Sequence, residues 1–143
     1  MIKTDSEYTK AVQKVRDERL RIEAEQTRLR KEGVASDLIK LALDPLVSFA
    51  FQLDEEIRFY ENIKRGTFPE LHNLSGIGRL LIALRIYRNM QQRELAQKIG
   101  VSESQVSRDE RNEYRGASIE KVREVLEALD GDLVSEIDTQ IRA

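Results

Sequence analysis

Few residues in this 143-residue chain have types and spacing suited to catalysis. There is no cysteine, so disulfides and thiolate metal sites are excluded. The single histidine, His72, cannot build a histidine metal cage. Glu55-Glu56 and Asp109-Glu110 are pairs of adjacent carboxylates. Neighbours in a helix point apart, so neither pair can share a proton. Ser104 and Ser107 would need a histidine base that residues 76–143 lack, and there is no glycine-rich phosphate loop. We therefore expect no catalytic residue, no metal and no cofactor. What remains is hydrogen-bonding chemistry, concentrated in Ser102-Glu103-Ser104-Gln105 and Ser107-Arg108, with Val106 between them. Glutamine suits the edge of adenine, arginine that of guanine, and glutamate accepts from the cytosine amino group.

Short helices must present that cluster. Ile77, Leu80, Leu81, Leu84 and either Ile86 or Tyr87 form the apolar face of a helix expected from about Gly76 to Asn89. A second is expected over Gln91 to Lys98, with Leu95, Ala96 and Ile99 inward; Ala96 is small where two axes should cross closely. Gly100 stands where the helix must end in a left-handed conformation, and Val101 plugs the core. Ser102 is placed to cap a third helix, anchored by Val106. Two short helices about a tight turn, with a polar outer face on the second, are how a helix-turn-helix reader of the DNA major groove is written.

The charge distribution agrees. The net formal charge is -2, yet from Gly76 to Gly116 eight basic residues face five acids. These are Arg79, Arg85, Arg88, Arg93, Lys98, Arg108, Arg111 and Arg115 against Glu94, Glu103, Asp109, Glu110 and Glu113. From Ala117 onward seven acids face three bases. A locally positive segment in an acidic chain fits a phosphate footprint.

Gln92, Glu94-Leu95-Ala96, Ile99-Gly100-Val101-Ser102, Val106-Ser107-Arg108 and Glu110 resemble the helix-turn-helix of the phage-repressor-like (Xre/Cro-type) transcriptional regulators. The resemblance covers roughly Ile77 to Leu133. It implies a five-helix domain whose third helix lies in the major groove of double-stranded DNA. The fourth and fifth helices would run from about Ser118 to Leu129 and from Asp132 to Ile141, with Ile119, Val122, Val125, Leu126, Leu129, Leu133, Val134 and Ile137 closing the core. It further implies DNA contacts from Gln91, Gln92, Arg93, Ser102, Glu103, Ser104, Gln105, Ser107 and Arg108, with Gln92 holding a phosphate. Arg85 and Glu110 would form a structural ion pair. One position departs from the pattern: the residue between Arg108 and Glu110 is usually apolar, and here it is Asp109. That carboxylate should pair with an arginine such as Arg88 or Arg111, or the helix should end early and shift the Arg111–Gly116 loop.

The N-terminal half is also helical. Asp5 or Ser6 can cap a first helix reaching about Glu32, with Tyr8, Val15, Ile22 and Leu29 recurring every seven residues. Asp37 to Leu43 reads as a short helix and Asp44-Pro45 as the start of the next; a kink in one longer helix is the alternative. Leu46, Phe49, Leu53, Ile57 and Tyr60 continue at helical spacing. The expected architecture is all-α: a long, coiled-coil-like helical hairpin over 1–65, a linker over 66–75 and the helix-turn-helix domain over 76–143. The hairpin's thin stripes, Tyr8, Val15, Ile22 and Leu29 with Leu46, Phe49, Leu53, Ile57 and Tyr60, are expected to meet a second copy or another protein; a self-contained bundle packed on the C-terminal domain is the alternative. Some antitoxins of toxin–antitoxin pairs resemble this layout, a partner-binding helical half joined to a repressor-type domain. No membrane span or signal peptide is visible, and a cytoplasmic homodimer that represses transcription is expected.

Overall fold

The computed structural model describes residues 1–140, and all its regular elements there are helical. The helices are α1 (Asp5–Lys31), α2 (Ser36–Lys64), α3 (Ile77–Tyr87), α4 (Gln92–Ile99), α5 (Glu103–Arg111) and α6 (Ile119–Ala128). They divide into two compact units, the first over Met1–Thr67 and the second beginning at Phe68. Among the described residues no helix is long and apolar enough to cross a membrane.

The first unit is an antiparallel hairpin. Thr4, one residue before the caps expected from sequence, starts α1, its Oγ1 accepting from the Glu7 amide at 3.1 Å. At 27 residues α1 is about 40 Å long. Ala11 and Val15 of α1 are buried, as are Ile39, Leu43, Ala50, Ile57, Tyr60 and Ile63 of α2. At the open end the Tyr8 and Tyr60 rings stack with centroids 5.1 Å apart. Their hydroxyls donate to carboxylates across the pair, Tyr8 to Glu61 at 2.7 Å and Tyr60 to Asp5. Arg19, which interrupts the apolar stripe of α1, pairs with Asp54 of α2.

Pro45 does not begin a helix. It lies inside α2, which runs unbroken through it. Proline removes the N–H that would bond the carbonyl of Leu41. Pro45 and Leu41 are both exposed, so water can serve that carbonyl.

In the second unit Leu81, Ile82, Ala83, Ile86, Leu95, Ala96, Val106, Tyr114, Val125 and Leu129 form the core. Ile86 takes the inward position, while Tyr87 is 40% exposed and meets Phe68 in a T-shaped pair with ring centroids 5.4 Å apart. Gly78 is required by a close approach: a Cβ there would lie 1.8 Å from the Glu113 carbonyl oxygen. The loop after α5 thus rests directly on the backbone of α3.

The helix expected from Asp132 to Ile141 is not formed over Asp132–Gln140; Ile141 itself lies outside the described residues. Among the described residues the second unit therefore has four helices rather than the five expected. Val134 and Ile137 are 80% and 90% exposed and Leu133 is at the surface too, so no apolar partner supports a helix in this segment. A helix this short does not hold in water without such packing. Ile119 is likewise 76% exposed rather than part of the core.

Candidate nucleic-acid interface

α4, the turn and α5 are built by local rules. Gln91 precedes α4, and the Glu94 carboxylate accepts its backbone N–H at 2.6 Å, satisfying a donor that the helix start leaves open. Leu95 and Ala96 are buried. Gly100 ends α4 at φ 69°, a conformation that costs a side-chain-bearing residue a Cβ clash. The Val101 amide then donates back to Ala96 O at 3.0 Å. Ser102 caps α5, its Oγ accepting from the Gln105 amide at 3.2 Å. Val106 is fully buried.

With Val106 fixed inward, the polar residues of α5 take their places around it. Glu103, Ser104 and Arg108 are exposed, and Gln105 and Ser107 half-buried. Gln91, Arg93 and Ser102 are exposed beside them, and Gln92 is half-buried. Ser102 and Ser104 place their hydroxyl oxygens 3.0 Å apart. Arg108 Nη2 donates to Gln105 Oε1 at 2.9 Å.

Behind this face lies a buried polar knot. Arg85 of α3 and Glu110 of α5 are both buried and make a two-pronged ion pair, Nε to Oε1 and Nη2 to Oε2, the second at 2.8 Å. Arg85 Nη1 also donates to the Met90 carbonyl at 2.8 Å. Gln92, at the start of α4, donates from Nε2 to Glu110 Oε2 at 2.7 Å. That bond uses one of its two amide N–H groups, so a donor and the carbonyl oxygen remain. One carboxylate thus links α3, the start of α4 and the end of α5. Tyr114 is buried nearby, and that burial, with Glu110 and Asp109 adding to it, pushes its hydroxyl pKa up.

Asp109 pairs with neither arginine proposed from sequence. It accepts from Gln105 Nε2 at 2.8 Å and faces Lys121 of α6 at 3.8 Å. α5 is not shortened, since it continues to Arg111. Arg88 is engaged elsewhere: it donates to the Leu129 carbonyl at 3.0 Å and the Asp130 carbonyl at 2.7 Å. Lys98 donates to the Ala128 carbonyl at 3.1 Å. Cations from the residue after α3 and from α4 therefore cap the carbonyl end of α6, where the helix dipole is negative. Three of the eight basic residues counted from sequence, Arg85, Arg88 and Lys98, donate to backbone carbonyls of the fold; Arg88 and Lys98 do so from the surface, where Arg79, Arg93, Arg108, Arg111 and Arg115 also lie. Charge counting could not separate the two groups, because the capped carbonyls come from a distant part of the chain.

The hairpin residues expected at an interface divide similarly. Val15, Ile57 and Tyr60 are buried between α1 and α2 of the same chain. Tyr8, Ile22, Leu29, Leu46 and Leu53 are half-buried, and Phe49 is 38% exposed. Leu38 and Leu41, absent from that set, are 55% and 68% exposed. With Pro45 and Phe49 they follow at three- and four-residue spacing, so they share one face of α2.

Comparison with known proteins gives one match. A family model described as helix-turn-helix covers residues 81–134. No curated protein and no solved structure gives a significant match to the chain.

Proposed function

The C-terminal unit is a phage-repressor-like helix-turn-helix domain, the fold of DNA-binding transcriptional regulators, and from that premise we propose that this protein is a sequence-specific repressor that binds double-stranded DNA as a homodimer. The observation that carries the reading is the exposed polar face of α5, held by buried Val106 and by the Arg85–Glu110–Gln92 knot. Arg93, Arg111 and Arg115, exposed around the motif, provide phosphate contacts that set the register, together with the remaining amide donor of Gln92. Arg108, Gln105, Ser104 and Glu103 supply the base contacts, with Ser102 and Ser107 beside them and Gln91 at the start of α4. Each good bidentate contact discriminates by about 1–3 kcal/mol.

Dimerisation follows from the size of the reading head. One short helix per chain reads few base pairs, and such proteins gain site length by pairing across half-sites about 34 Å apart. The exposed face of Leu38, Leu41, Pro45 and Phe49 on α2 supports the hairpin as the pairing surface, since exposed apolar patches mark contacts. A foreign protein on the same face, as in an antitoxin, is the second reading.

Fluorescence anisotropy of the full chain with its own upstream DNA and a scrambled duplex, over a salt series, tests the proposal. Tight binding to one duplex that weakens steeply with salt is expected. Arg108→Ala should lower specific affinity about tenfold or more and non-specific affinity much less. Equal losses on both duplexes would reduce Arg108 to a phosphate contact, and equal weak binding of the unaltered protein to both would sink the reading.

A further inference from the structure

The residue that departs from the family pattern is tied to the residues expected to touch bases. Asp109 accepts from Gln105 Nε2 at 2.8 Å, and Gln105 Oε1 accepts from Arg108 Nη2 at 2.9 Å. An amide has its donor and acceptor on opposite prongs. Once Asp109 takes the donor prong, the carbonyl prong is committed to Arg108. Lys121, 3.8 Å from the other carboxylate oxygen, opposes the charge of Asp109 from α6. The spacings of four and three residues are those at which helical side chains meet, so the chain runs along one side of α5.

We propose that Asp109 is a positioning residue for base recognition: through Gln105 it holds the Arg108 guanidinium in place to read guanine, and it withdraws Gln105 from reading adenine. The inference rests on the DNA-binding reading above and deepens it. A free glutamine on α5 would offer both prongs of its amide to adenine. Here each prong already makes a hydrogen bond inside the helix, and the one N–H left on Nε2 cannot by itself make the two-pronged contact, so Gln105 buttresses Arg108 instead. Arg108 has five N–H donors and spends one on Gln105, leaving enough for a two-pronged contact with the N7 and O6 acceptors of guanine. An apolar side chain at position 109 would leave Gln105 free to turn, so the preference at this base pair depends on a residue that itself touches no base.

The test is selection of bound duplexes from a randomised pool by the full-length protein and its variants, followed by affinities for the selected site with guanine or adenine at the position where Arg108→Ala loses discrimination. Taking a ratio cancels the general gain in affinity from removing a carboxylate near DNA. Asp109→Ala should cut the guanine-over-adenine ratio about tenfold, the size of one bidentate contact. Asp109→Asn retains an oxygen that can accept from Gln105 and should keep most of the ratio. In a Gln105→Ala background, Asp109→Ala should have no further effect, because coupled residues are not additive. Asp109 is partly exposed, so the variants are expected to fold, and thermal unfolding confirms this before binding is measured. If Arg108→Ala abolishes the ratio while Asp109→Ala leaves it intact, or if the two losses at 105 and 109 add, the positioning role is overturned and DNA reading stands. If the unaltered protein enriches no sequence, DNA reading itself fails and the positioning role with it.

Discussion

Arg85 and Glu110 are charged residues in an apolar interior, tolerable because each is the other's counterion and further polar groups complete the set. Desolvating two charges costs energy that their attraction only roughly repays, so the pair is not itself a large source of stability. Breaking it is another matter. Glu110→Ala leaves Arg85 buried without a counterion and removes the acceptor of Gln92, and should destabilise the C-terminal unit by about 3–5 kcal/mol. Replacing both, Arg85→Met with Glu110→Leu, should recover most of that loss. Urea unfolding of the full chain checks this, and a double variant no more stable than Glu110→Ala would contradict it. Asp109 shows where residue-level reading stops. Its oddity stands out in the sequence, and Gln105 lies at the right spacing, but Lys121 comes from another helix. Arg88, a candidate partner from sequence, is drawn away by the Leu129 and Asp130 carbonyls at the end of α6. Side-chain partners across a packing interface leave no local spacing to read.

At the scale of elements, the short helices punctuated at their ends and anchored by buried residues were legible, and two other stretches were not. α4 and α5 are short, yet Glu94, Gly100 and Ser102 punctuate them and Leu95 and Val106 anchor them. The bounds of α4 and the start of α5 could be drawn from residues alone to within one position, while the end of α5 was left open. The run after Asp132 had a resemblance and an apolar pattern but nothing to pack against, and no helix forms over Asp132–Gln140. Asp44-Pro45 carried a local start signal, and continuous burial of Ile39, Leu43 and Ala50 on one side of α2 overrode it. The open end of the hairpin offers a check on how α1 and α2 are joined. The Tyr60 hydroxyl, and then Lys64, hold the Asp5 carboxyl below its ordinary value of 3.8. A carboxylate whose pKa is depressed by folding contributes stability above its unfolded value and loses it as pH falls through the folded value. The unaltered chain should therefore melt slightly above an Asp5→Asn variant at pH 7, by less than about 4 °C because Asp5 is exposed. The gap should close as pH drops below 3.8. A gap that persists or widens in acid would show that the ionised form of Asp5 is not what joins the helices.

The whole molecule joins a unit whose polar surface fits DNA to one whose surplus surface is apolar. The hairpin closes its own seam with Val15, Ile57 and Tyr60, so a charge at any of these would unfold it and report nothing about assembly. The sequence pattern could not make this distinction, because a stripe spent on the other arm of a hairpin and a stripe spent on a second chain have the same spacing. The structure separates them by exposure: Leu38, Leu41 and Phe49 remain at the surface on one face of α2, as do Val47 and Phe51 elsewhere on α2 and Leu20 on α1. Their exposure also makes them safe to alter, since a surface substitution away from special features changes folding by about 0.5 kcal/mol or less. Sedimentation equilibrium of the full chain at micromolar concentration should therefore find a dimer, and Leu41→Glu should raise its dissociation constant at least about tenfold while leaving thermal unfolding of the isolated monomer unchanged. Because two linked reading heads bind far more tightly than one, the same substitution should weaken binding to a two-half-site duplex by about a hundredfold and binding to a single half-site hardly at all. A Leu41→Glu protein that remains dimeric would place the pairing surface elsewhere. An unaltered protein that is monomeric both alone and on DNA would leave the apolar face of α2 to a foreign chain.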